Sequence, residues 1–399
     1  MKPYPAGVSA PSTLVRQSPL TVTVAGTAAL AAAMGLGRFV YTPILPKMMA
    51  GLGMSAGTAG LLASANYAGY LFGAVLAGGA WAQGRERGVT LASVVVVAVT
   101  LFGMAGTDGV PAFFALRFVA GVASAFVLVI GSALVVGELT RLDRPELQSW
   151  HFGGIGLGIA VSAAVVGGAL FLGGSWRMDW AVSGLAAAVG GGIAAWGLPP
   201  SSGRSEAVAE PSIRWNPSLV LLTLGYGVFG AGYIVTATFL LAIVRASGSE
   251  LWMESGVWLV AGLAGTPSVY LWGRLLPRLG LPPTILLGCV AESAGVAASV
   301  LMPAPWGPLL GGLALGGTFI AVTALGLRAG RKVAGESPRR VLSLMTVAFS
   351  VGQIVGPIGA GWMADATGSF KAGSLVASGL LLLSGTLSWA AGRVSSREV

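Results

Sequence analysis

Apolar residues run along this chain in long unbroken stretches separated by short polar segments, without the period-two alternation of a half-buried strand. About twenty such residues in a helix cover a hydrocarbon core of about 30 Å. Twelve runs of that kind occur, at approximately 21–48, 57–82, 89–107, 111–137, 150–172, 178–198, 217–244, 252–273, 281–303, 307–328, 341–363 and 371–391. Backbone groups cannot stay unpaired in lipid, and a membrane barrel would alternate, so the pattern predicts helices throughout. The expected fold class is an all-α membrane protein with about twelve transmembrane helices.

The longest polar stretch inside the chain, 199–216, divides these runs six and six. It predicts a tail over 1–20, a helical bundle over 21–198, a linker over 199–216, a second bundle over 217–391 and a short tail over 392–399. Glycine motifs relate the halves. Gly35-Leu-Gly-Arg-Phe39 in the first run parallels Gly225-Tyr-Gly-Val-Phe229 in the seventh, and Gly154 with Gly158 in the fifth parallels Gly352 with Gly356 in the eleventh. Two pseudo-symmetric six-helix bundles around a midplane site is an arrangement used by transporters.

Composition narrows the class further. With 55% hydrophobic and 9% charged residues among 399, there is too little polar surface for soluble domains. A net charge of +9 would suggest nucleic acid in a soluble protein, but the basic residues here sit in short segments between apolar runs. An N-terminus placed inside leaves about seventeen Lys and Arg on the cytoplasmic side and four, Lys47, Arg177, Arg245 and Lys371, on the other. The positive-inside rule then places both termini in the cytoplasm, and membrane lipids rather than nucleic acid become the partners of those loops. One cysteine, Cys289, and one histidine, His151, leave no disulfide framework and no metal or cofactor site to propose.

Several motifs resemble the major facilitator superfamily, over essentially the whole chain. Arg117-Phe-Val-Ala-Gly121 in the fourth run is similar to that family's Arg-x-x-x-Gly pattern, and Gly352-Gln-Ile-Val-Gly356-Pro357-Ile-Gly-Ala-Gly361 resembles its antiporter motif, displaced to the eleventh helix. The fifth run has Ile159 where that motif's proline would stand. The loop Gly79 to Gly88, with Arg85 and Arg87, looks like a degenerate gating motif in which Gln83 replaces the expected aspartate. Met34-Gly-Leu-Gly-Arg38-Phe-Val-Tyr41-Thr-Pro43 and Ala63-Ser-Ala-Asn66-Tyr67-Ala-Gly-Tyr70 resemble the YbfB/YjiJ-like branch of bacterial transporters. The resemblance implies the bacterial inner membrane, a single-chain unit, and alternating access coupled to protons.

Charged residues deep in a span are costly, about 2.5–3.5 kcal/mol on insertion scales, and so mark candidate sites. Arg38, Arg117 and Glu292 are the three. The guanidinium of Arg38 suits an anionic group, with Tyr41 on the same helical face; its alternative is to hold carbonyls or Asn66. Asn66, Tyr67 and Tyr70 form a polar stripe on the second helix, whose bland reading is interhelical hydrogen bonding. Tyr226, Phe229 and Tyr233 on the seventh, and Phe349 with Gln353 on the eleventh, are matching stripes, of a kind that more often packs than binds.

Arg117 either adds a second charge to the cavity or holds carbonyls and governs gating, and the family pattern favours the latter. Glu292 is a candidate proton carrier, although the resemblance puts the ninth helix on the periphery. His151 is expected at the membrane interface in a surface role. Glycines such as Gly121 and Gly356 should let helices approach, and Pro357 should invite a bend.

These features predict a secondary transporter for a small organic anion. The competing reading is a proton-driven multidrug or metabolite exporter with an aromatic cavity. A membrane enzyme would need a nucleophile, base or metal cluster, and no such group is visible in the sequence.

Overall fold

A computed structural model describes residues 18–201 and 210–395. Of the expected tails over 1–20 and 392–399 and the expected linker over 199–216, residues 1–17, 396–399 and 202–209 lie outside the described residues. Among the described residues twelve long helices follow one another: α1 Pro19–Leu52, α2 Ala56–Ala77, α3 Glu86–Ala105, α4 Val110–Arg141, α5 Pro145–Phe171 and α6 Trp176–Gly197. The second set is α7 Pro217–Ala246, α8 Leu251–Leu279, α9 Leu281–Leu301, α10 Trp306–Val333, α11 Pro338–Thr367 and α12 Lys371–Ser395. Among the described residues eleven helices are long and apolar enough to cross a membrane; α8 matches them in length but is less apolar, interrupted by Thr266, Pro267 and Ser268.

The helix ends follow from local chemistry. Ser18, Ser55 and Asn216 each accept a hydrogen bond from a backbone N–H of the first turn of α1, α2 and α7. Pro19, Pro217 and Pro338 stand in the first turn, where a missing N–H removes no helical bond. At the other ends of α1 and α11, Gly53 and Gly368 adopt positive φ, +60° and +66°, which a side chain would strain.

The helices fall into two six-helix sets whose packing repeats. In the first set α1 packs on α5, α2 on α4 and α3 on α6; in the second, α7 packs on α11, α8 on α10 and α9 on α12. The sets meet along α2 with α11 and along α5 with α8, again equivalent pairs. Small residues make these approaches possible. A Cβ at Gly121 would collide with the Asn66 carbonyl, one at Gly316 with the Ala261 carbonyl, one at Gly158 with the Ala31 and Gly35 backbone, and one at Gly352 with the Gly227 carbonyl.

α11 continues as helix through Pro357, whose carbonyl lies against Gly60 of α2 at a contact only glycine permits. One expectation changes. His151 is 1% exposed rather than at a surface, and its Nε2 shares a hydrogen bond with Ser132 Oγ at 3.0 Å. The cause is the glycine run after it: Gly153, Gly154 and Gly156 bring α5 against the backbones of α8 and α1 within its first turns.

Candidate functional site

The site begins with a departure from regular helix. α1 is α-helical to Leu30, takes wider π-helical turns over Ala31–Phe39, and resumes α geometry at Tyr41. Pro43 brings no N–H with which to bond the Phe39 carbonyl, so the regular ladder is broken where the π turns end. Carbonyls freed in this way need other donors in a low-dielectric interior.

Arg117, from α4, supplies two. Its Nη1 donates to the Gly37 carbonyl at 3.2 Å and its Nη2 to the Arg38 carbonyl at 3.3 Å. The Tyr41 ring lies 4.8 Å from this guanidinium carbon, and the Tyr41 hydroxyl donates to the Ala59 carbonyl at 2.9 Å. Asn66 Nδ2 donates to the Arg117 carbonyl at 2.9 Å, tying α2 to α4. Arg117, Tyr41 and Asn66 thus form one buried network that braces α1 against α2 and α4.

Arg38 stands outside that network. Its guanidinium carbon lies 4.3 Å from the ring centre of Tyr70 and 4.7 Å from that of Tyr67, with Phe39 at 5.7 Å. Its Nε and Nη2 are buried without any hydrogen-bond partner, and none of the ion pairs among the described residues includes it. These two nitrogens carry the parallel N–H bonds that a carboxylate or phosphate oxygen pair engages. Tyr41 therefore sits with Arg117, and the wall beside Arg38 is made by Tyr67 and Tyr70.

The second half faces this point with aromatic rings. Tyr226 stacks on Phe349 at 4.8 Å, Phe349 on Tyr233 at 5.6 Å, and Tyr233 on both Phe229 at 5.3 Å and Phe319 at 5.5 Å, with interplanar angles from 9° to 24°. Phe319 meets Phe39 edge-on across the halves at 5.6 Å. Gln353 donates its amide N–H to the Tyr233 hydroxyl, which leaves its Oε1 buried without a partner. The Tyr67 hydroxyl shares a hydrogen bond with Thr238 of α7 at 3.3 Å, and the Tyr226 hydroxyl donates to the Thr323 carbonyl at 3.1 Å.

The candidate gating and coupling residues are dispersed. Arg87 donates from Nε to the Leu198 carbonyl at 3.1 Å and from Nη2 to the Ala195 carbonyl at 2.6 Å, fastening the start of α3 to the end of α6, and Arg85 lines a surface dent with it. Gly356 packs on Ala231 of α7. Glu292 is buried within the second half, its Oε2 accepting from Thr318 at 2.8 Å while Oε1 has no partner; no contact joins it to Arg38. Phe39, Phe319 and Thr238 complete the centre and carry no sequence signal of their own, since a lone aromatic or threonine in an apolar helix is ordinary.

At the opposite end of the bundle from Pro19, the halves are locked by a carboxylate. Asp365 at the end of α11 accepts from the backbone N–H groups of Ala56 and Gly57, each at 2.9 Å, so it caps α2 across the interface. Thr42 donates to the Ala237 carbonyl in the same region, and Ser64 to the Ile354 carbonyl at 2.7 Å.

Residues 30–389 match the family described as "Uncharacterised MFS-type transporter YbfB". A chloramphenicol resistance protein of Streptomyces lividans is 28% identical over 367 residues, which is 88% of this chain and 91% of that one. Among solved structures, a mutant of the nucleoside transporter NupG superposes with a TM-score of 0.74 at 15% identity, covering 94% of this chain and 99% of its own. A bacterial homologue of the human lysosomal transporter Spinster, in an inward-facing unoccupied conformation, gives 0.68 at 15% identity over 94% of this chain and 97% of that one. At these identities the solved structures speak for the fold alone.

Proposed function

This chain belongs to the YbfB-type family of MFS transporters, and from that premise we propose that it carries a small organic anion across the bacterial cytoplasmic membrane by proton-coupled alternating access. One observation carries the anion: the bidentate edge of Arg38, Nε and Nη2, is buried and unpartnered between the halves. A buried cation held by ring faces alone, with its donor edge unbonded, is costly, so a site that keeps one is poised for an anion arriving from outside the chain. Arg117 already serves two carbonyls, so we assign it to positioning α1 rather than to the solute.

Alternating access is supported by the pseudo-equivalent packing of the two halves and by glycine contacts that let helices slide. Glu292, with one oxygen free, is the carboxyl we assign to the proton. The distribution of Lys and Arg supports cytoplasmic termini, a cytoplasmic linker over 199–216, and lipid headgroups as the partners of the basic loops. The working unit is one chain, because the central site is complete within it.

The test is a thermal-stability screen of the detergent-purified protein against anionic, neutral and cationic metabolites, repeated with Arg38→Gln. Anions should raise the Tm of the wild type and leave the variant unmoved. Stabilisation by cations or neutral compounds alone would refute the anion. A second reading, proton-driven export of a drug or metabolite, is favoured by the Streptomyces relative's chloramphenicol resistance and by the Gly352 to Gly361 segment of α11. Expression in a sensitive host on chloramphenicol tests it: unchanged growth inhibition counts against this drug.

A further inference from the structure

Away from the centre, the second half carries a crevice of about 260 Å³ between the first turns of α7 and α9 and the last turns of α10 and α12. Successive spans alternate in direction, so these helix ends lie together on the face shared with Pro19, at headgroup depth. The floor is apolar: Leu222, Leu281, Ile285 and Ala391 line it and are all buried. The Ser218 hydroxyl, also in the lining, donates to the Ala391 carbonyl at 2.7 Å. Lys332 lines the same crevice from α10, is exposed, and enters none of the ion pairs among the described residues.

The equivalent quadrant of the first half, at α1, α3, α4 and the end of α6, is closed. His151 and Leu198, each 1% exposed, fill the space beside Gly26, Thr90 and Gly131 and leave no room for a water molecule. The basic residue there, Arg87 at the start of α3, donates to the Leu198 and Ala195 carbonyls. One half thus fills this position with its own side chains and bonds its cation. The other keeps an apolar slot with an unpaired ammonium at its rim. That combination is complementary to an anionic headgroup joined to hydrocarbon. A slot of this volume is also smaller than the roughly 300–1,000 Å³ that encloses a whole drug-sized ligand, so it suits part of a molecule whose remainder stays in the bilayer. A polar metabolite has nothing to lay on the floor, and the phosphate of a zwitterionic lipid already has its own cation.

We propose that this crevice holds one anionic phospholipid, its phosphate on Lys332 Nζ and the upper methylenes of one acyl chain against Leu222, Leu281 and Ile285. The proposal deepens the reading of lipid headgroups as partners of the basic segments, and rests on it. A lipid seated here joins the ends of α7, α9, α10 and α12 within one half and leaves the Arg38 site untouched.

Native mass spectrometry of the full-length detergent-purified protein tests this, with phosphatidylglycerol, phosphatidylcholine of the same chains, and oleate as probes. One phosphatidylglycerol should bind about fivefold or more tighter than phosphatidylcholine, the factor that a single lysine at the surface contributes. Lys332→Gln should bring the two lipids within about twofold of each other. Arg331→Gln removes an exposed neighbouring cation that does not line the crevice, and should leave the preference intact. Ala329→Leu fills the crevice from α10 and should release both lipids. A preference that survives Lys332→Gln, or lipid retained by Ala329→Leu, would overturn this site while the general lipid reading stands. Equal binding of the two lipids by the wild type would overturn both. Oleate binding as tightly as phosphatidylglycerol would overturn the phospholipid in favour of a free fatty acid.

Discussion

The guanidinium of Arg117 is hydrogen-bonded to the main-chain carbonyl of Arg38, Nη2 to oxygen at 3.3 Å. Two arginines that look alike in an apolar sequence therefore have opposite positions: one holds the backbone that carries the other. The consequence is that Arg117 fixes the π-helical turns from which Arg38 projects, and that only Arg38 has its bidentate edge free.

The two substitutions should separate cleanly in stability. Arg117→Ala removes two buried charge-assisted hydrogen bonds, to the Gly37 and Arg38 carbonyls, worth about 1.5–3 kcal/mol each. The ligand-free Tm should fall by several degrees. Arg38→Met removes an unpaired buried charge and should leave that Tm unchanged or raised. Thermal unfolding of both variants without ligand checks the pair.

Helix contacts set by glycine give a second contrast, within one helix. A Cβ at Gly352 would stand against the Gly227 carbonyl and the Ala231 nitrogen, whereas nothing lies within 4 Å of one at Gly359. Gly352→Ala should lower the yield of monodisperse protein and its Tm, while Gly359→Ala should stay within about 0.5 kcal/mol of wild type. Size-exclusion profiles and unfolding curves report both.

Asp365 should govern opening at its end of the bundle. It caps α2 from the other half, and removing a capping carboxylate costs about 0.5–2 kcal/mol, a bias of about two- to thirtyfold toward separated halves. In a Cys289→Ser background, a cysteine at Ala364, buried beside this contact, should react with a water-soluble maleimide faster by such a factor when Asp365→Ala is added. An unchanged rate would show that the cap does not hold the halves.

Cys289 is fully buried, its Sγ 3.9 Å from Ser384 Oγ. The native protein should resist maleimide labelling, and labelling should appear only with thermal unfolding. A thiol-reactive fluorophore thus reads the unfolding of the α9 and α12 contact, and a ligand of the central site should move that transition upward.

The linear pattern of apolar runs determined that the chain is helical and lives in a membrane, because backbone satisfaction in lipid permits little else. Gly121, Gly154, Gly158, Gly352 and Gly356 also announced close approaches, since four-residue spacing places them on one helical face, and each does lie against a neighbouring backbone. Asn66, Tyr67 and Tyr70 were visible as a polar stripe for the same reason of periodicity.

Only the tertiary structure decided how that stripe is divided. Tyr41 and Asn66 join Arg117 in bracing α1, while Tyr67 and Tyr70 flank Arg38. Within α1 the separation of Arg38 from Tyr41 follows the π-helical stretch Ala31–Phe39, which turns the helix by other than 100° per residue, so faces counted along an ideal helix no longer hold across its end. The burial of His151 is not legible in the sequence, because burial of a helix end depends on which helices close over it, a fact of packing between segments far apart in the chain. The ring cluster has the same origin: Phe319 and Phe349 reach Tyr233 only when α10 and α11 pack on α7, and Phe319 reaches Phe39 only when the two six-helix halves meet. Local periodicity is written in the sequence, whereas the partner of each buried polar group is chosen by the fold.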